Sequence, residues 1–119
     1  MNQYTPEGPN PRLDAIGRLI PDMAERHAEG LWERPLPGLW TARLDGREAL
    51  ILAATPHADA IRVEWHAIDR YGRYETGNPA GTDIPAYTLA DAAGTIARLM
   101  DRLDRWLATG NPKTLHEGA

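Results

Sequence analysis

His57, Asp59, His66 and Asp69 are the residues whose types and spacing could carry chemistry. His57-Ala58-Asp59 sets a histidine and a carboxylate two residues apart in a turn, and His66 and Asp69 sit at the end of the cleanest strand pattern in the chain. Histidine is the side chain that titrates near neutrality unperturbed. The four together could supply a two-histidine, one-carboxylate metal site, or a histidine base oriented by a carboxylate. Their spacing matches no established metal motif such as His-Glu-x-x-His, and His66 falls on the polar side of its strand. They stand as metal-ligand candidates only, and no cofactor is called for.

Arg70-Tyr71-Gly72-Arg73-Tyr74 is the most unusual local cluster. Aromatic rings and guanidiniums around a tight turn can stack on and hydrogen-bond a base, a peptide or a phosphate. The plain alternative is a hairpin turn whose rings cover neighbouring strands and whose arginines are solvated. Tyr and Arg are enriched at interface hot spots, which makes Arg70, Tyr71, Arg73 and Tyr74 the first choice of contact surface. Trp32, among Leu31, Pro35, Leu36 and Pro37, is read either as a staple for the connector or as an exposed anchor for a partner.

Composition removes other chemistries. The 119 residues contain no Cys, no Ser and no Phe. Disulfides, thiolate zinc sites, thiol nucleophiles and serine triads are therefore excluded. Glycines recur at 72, 77 and 81, but without the lysine and strand-to-helix setting of a phosphate loop. The net charge of −4 opposes broad binding to nucleic acid or anionic membrane, which needs surplus positive charge. No run approaches the ~20 apolar residues of a membrane span, and the first residues lack a signal-peptide pattern, so the expected location is cytoplasmic. Twelve Arg against one Lys, with 18 Ala, points to a GC-rich bacterial genome.

Residues 1–11, with three prolines, read as a flexible arm. Residues 12–110 read as a single domain and 111–119 as a tail that frays from Lys113. Asn10 can cap a helix that begins at Pro11. Leu13, Ile16, Leu19, Ile20, Met23 and Ala24 lie on one face of it. Pro21 predicts a kink, or two short helices meeting near Ile20. Residues 31–38 read as an extended connector. A strand over 39–44, the Asp45-Gly46 hairpin turn and a returning strand over 47–54 follow. Ala49-Leu50-Ile51-Leu52 is apolar on both faces, which predicts a central strand. Ile61, Val63, Trp65 and Ala67 alternate with polar residues, residues 74–76 could add a short fourth strand, and 77–85 read as a surface loop.

Thr88 and Asp91 approximate a capping box for a long helix to about Thr109. Its stripe is Leu89, Ala92, Ala93, Ile96, Leu99, Met100, Leu103 and Leu107, with Trp106 at the edge. Asp101 and Arg105 are spaced to pair on the outer side. The fold class is thus α+β: a kinked N-terminal helix, a three- to four-stranded antiparallel meander and a long C-terminal helix, both helices on one face of the sheet.

This α-β-β-β-α order is that of the double-stranded-RNA-binding domain, a nucleic-acid-binding alternative. The likeness stops at topology, because the last helix carries no basic residue before Arg98, where that domain holds phosphates. With the commonest nucleophiles missing, a metal- or histidine-dependent enzyme is the second alternative. The expected function is non-enzymatic: a small bacterial or phage protein that binds another protein as an inhibitor, immunity protein or regulator. An edge strand or the exposed connector gives a second copy a place to pair, so a homodimer is also expected.

Overall fold

The computed structural model describes residues 11–20, 23–28, 30–57, 59–75 and 80–115, with His57 and Ala80 described by backbone only. Of the arm read at 1–11, residues 1–10, Asn10 among them, lie outside the described residues, and Pro11 is the first residue of a helix. The expected break near Ile20 is present: helix α1 spans Pro11–Leu19 and helix α2 spans Met23–Ala28. The first helix stops two residues short of Pro21, as proline disfavours helical geometry in the residue before it.

Five antiparallel strands follow among the described residues, each paired with the next in chain order. They are β1 (Trp32–Leu36), β2 (Leu39–Leu44), β3 (Arg47–His57), β4 (Ala60–Ile68) and β5 (Ala80–Pro85). The meander is as expected, but it has five strands rather than three or four. Strand β1 lies inside the stretch read as a connector. Pro35 is tolerated because β1 is an edge strand, and its register with β2 shifts between Glu33 and Leu36. Strand β5 lies inside the stretch read as a loop, paired along β4 from Ala60–Pro85 to Trp65–Ala80. The short strand expected at 74–76 reduces to one bridge between Ile68 and Tyr74, and Thr76 lies outside the described residues. The Asp45-Gly46 turn forms as read, with φ of 54° and 81°, the left-handed pair that a tight hairpin requires.

Directly paired residues share a face. One face presents the rows Trp40–Ile51–Trp65 and Ala42–Ala49–Ala67, and all of these side chains are buried. The alanine row leaves room for helix side chains above it. Helix α3 (Leu89–Thr109) packs there, burying Ala92, Ala93, Ile96, Leu99, Met100, Leu103, Trp106 and Leu107. Leu13 and Ile16 of α1 join the same core. Without Phe, tryptophan fills this core, and all four Trp residues are buried.

Two local expectations fail for identifiable reasons. Thr88 makes no side-chain cap, because its hydroxyl donates to the Pro85 carbonyl at 2.7 Å. Beyond Gly110, Pro112–Leu115 forms a 3-10 helix rather than a frayed tail, with Thr114 and Leu115 buried. Among the described residues, no helix is long and apolar enough to cross a membrane.

Candidate functional site

Strand β4 ends at Ile68, and Asp69 organises the turn that follows. One oxygen of its carboxylate accepts from the backbone N–H of Tyr71 and of Arg73, each at 2.9 Å. The other accepts from Arg73 Nε at 3.2 Å. The backbone N–H of Asp69 donates to the Arg73 carbonyl at 2.8 Å, and that of Gly72 donates to the Asp69 carbonyl at 3.0 Å. These contacts hold the Asp69 carboxyl below its ordinary pKa. The Arg73 N–H is the largest cause; burial, next in size, opposes it, and the Tyr71 N–H and the Arg73 guanidinium add to the lowering.

This frame presents the aromatic cluster outward. Tyr71 is 75% exposed and Tyr74 is 53% exposed. The Arg73 guanidinium lies 5.2 Å from the centre of the Tyr71 ring, within cation–π range. The Tyr74 ring lies 5.5 Å from that of His66. Arg70 is exposed and carries no ion pair among the described residues. The structure therefore brings Arg70, Tyr71, Arg73 and Tyr74 to one surface turn.

An open cleft of about 640 Å³ separates this turn from the β2–β3 hairpin, lined by Arg43, Asp45, Arg47, Glu48, Asp69 and Arg70 among others. Its three cations and three carboxylates balance. Arg43 is bonded to Glu48 at 2.9 Å, and Arg47 donates to the Leu107 carbonyl at 2.9 Å. Nothing in this charge pattern selects an anion.

The histidine and aspartate pairs are not brought together. Asp59 precedes the first residue of β4 and Asp69 follows the last, which sets them about 30 Å apart at ~3.3 Å per strand residue. His66 faces Tyr74, and the Asp69 carboxylate is spent on its own turn. The His57 side chain lies outside the described residues, and among those described no group of three metal-ligating side chains forms.

Trp32 also departs from the anchor reading. It is 0% exposed, with its indole N–H donating to Asp104 at 2.6 Å. As a buried staple it is closed to a partner, because β1 is a true strand whose inward residue it is. Arg26 completes this cluster, bonded to Asp104 at 2.5 Å and to Asp101. Asp101 thus pairs with α2 rather than with Arg105. Sequence reasoning missed the cluster, since its bonded partners lie more than 70 positions apart and share no local period. It also passed over Tyr87, 87% exposed at the Asp59 end of β4, remote from the 70–74 turn.

Comparison with protein-family models, with curated proteins and with solved structures finds no match to this chain.

Proposed function

We propose that the protein works by binding another protein, in an inhibitory, immunity or regulatory role, through the turn at 70–74. The observation that carries this reading is the exposure of Tyr71 and Tyr74 on a backbone that Asp69 holds from inside. A turn already ordered loses little conformational freedom on association. Tyr and Arg are the side chains that most often dominate such contacts, and Arg70 and Arg73 add donors for partner carboxylates or carbonyls. The net charge of −4 and the carboxylate within the turn weigh against a phosphate backbone as the partner. A small cytoplasmic protein of bacterial or phage origin fits this role.

The test is capture by the tagged chain from lysate of the encoding cell, repeated with Tyr71→Ala/Tyr74→Ala. A specific partner should be recovered by the parent protein and at least tenfold less by the variant. Equal recovery overturns the turn as the contact surface. A salt-sensitive mobility shift of single- or double-stranded nucleic acid, abolished by Arg70→Ala/Arg73→Ala, would reassign the surface to nucleic acid.

A further inference from the structure

The second face of the sheet carries its own ordered pattern. One row runs Glu33–Thr41–Leu50–His66 and the next runs Leu36–Leu39–Leu52–Glu64–Gly81. Among the described residues no helix packs on this face, since the helices share the opposite core. Leu36 and Leu52 are 39% and 36% exposed. Yet Leu50 and Leu52 make central strand β3 apolar on both sides, the composition of a strand covered on both faces. One cover is α3, and among the described residues no helix supplies the other.

We propose that this face is a homodimer interface, with two copies packed sheet to sheet about a two-fold axis that crosses the strands between the two rows. That operation lays each row on the other row of the second copy. Leu50 then meets Leu52, Thr41 meets Leu39, and His66 meets Glu64, each contact occurring twice as an isologous interface requires. One charged pair fits this register, while the same operation lays Glu33 on Leu36. The nearest cation to Glu64 in its own chain is Arg62, at 3.9 Å, and Arg62 is already engaged by Asp83 at 3.1 Å. A histidine from the second copy supplies Glu64 with a donor.

The size fits as well. A five-stranded face about 24 Å wide and 20 Å deep covers about 500 Å² per copy, or about 1,000 Å² in all, which reaches the scale of a specific interface. Packing of two such faces within about 30° of parallel is the usual geometry of a β-sandwich. The inference does not depend on the function proposed for the turn at 70–74, although Tyr74 of that turn lies against His66 at the margin of this face, and its test uses purified protein alone.

Sedimentation velocity of the full chain from 1 to 100 µM at pH 7 is expected to show a species of twice the 13.2 kDa chain mass. Leu52→Glu should raise the dimer dissociation constant at least tenfold with an unchanged circular dichroism spectrum. His66→Asp and Glu64→Lys should each weaken the dimer, and the double variant should recover to within about threefold of the parent. The charge pair keeps the question decidable if Leu52→Glu does not fold. A monomer throughout this range overturns the proposal, as does a dimer indifferent to these changes or a double variant without recovery.

Discussion

The indole N–H of Trp32 on β1 donates to the carboxylate of Asp104 on α3, across 72 positions of sequence and 2.6 Å of space. Arg26 of α2 grips the same carboxylate and also reaches Asp101. Burial foremost pushes the Asp104 pKa up, against the pull of Trp32 and Arg26. Desolvation works against the charge on Arg26, but its bonds to the two aspartates outweigh it and hold the guanidinium more firmly charged than usual. The two directions oppose each other, as expected of a partly buried ion pair whose net contribution sits near break-even. Its role is to fix where α2 and β1 sit against α3.

Breaking one arm of this cluster should therefore cost more than the cluster contributes. Asp104→Ala leaves the buried indole N–H without an acceptor and should destabilise by about 2–3 kcal/mol. Asp104→Asn keeps an acceptor for Trp32 and should cost about half as much. Urea unfolding followed by tryptophan fluorescence checks both, and equal losses would show that the acceptor is not what matters.

Asp69 ties the order of the exposed turn to pH. Its folded pKa lies below the ordinary 3.8, so the order it confers is fully present above that value. It is lost as pH falls through the depressed value. Amide protection factors or chemical shifts of Tyr71 and Arg73 should stay constant from neutral pH to about 4 and change below it. Asp69→Ala should show the loosened turn at every pH.

Two glycines should respond to alanine with opposite signs. Gly38 has φ of 84°, and an added Cβ would stand 2.5 Å from the Ala53 carbonyl oxygen, a backbone atom that cannot yield. Gly38→Ala should cost about 2–4 kcal/mol. Within α3, an added Cβ at Gly94 meets only Arg98 Nη1, at 3.5 Å. Gly94→Ala should stabilise by about 0.5–1 kcal/mol. Thermal unfolding of the two variants reads both signs.

Arg47 ties the β2–β3 hairpin to the end of α3 through the Leu107 carbonyl, one of the groups a helix leaves unpaired at its C-terminus. Arg47→Ala should cost about 1 kcal/mol and speed hydrogen exchange in residues 106–115 before the rest of the domain. Uniform acceleration would show that the contact is not local.

The elements legible in the sequence are those whose periodicity is long or whose turn chemistry is strict. Residues 89–109 repeat an apolar stripe over 21 positions, β4 alternates cleanly, and Asp45-Gly46 admits few conformations. Strands β1 and β5 were not legible because Pro35, Gly81 and Pro85 argue locally against a strand. Their state is set by hydrogen-bonding edges that β2 and β4 offer. In the candidate site, the cluster at 70–74 stood out by composition. The part played by Asp69 did not, since a carboxylate beside a histidine reads equally well as a ligand.

By itself the sequence determined the α+β class, the order of the main elements and the identity of most core residues. Those follow from the period at which apolar side chains recur, and period is a local property. Tertiary structure alone decided that Trp32 is a buried staple, that β4 holds Asp59 and Asp69 apart, and that Leu50 and Leu52 of β3 lie on the face opposite the described helices. Each of these depends on which distant segments pair. Pairing is chosen by the burial and hydrogen bonding of the whole chain, which no local window of residues contains.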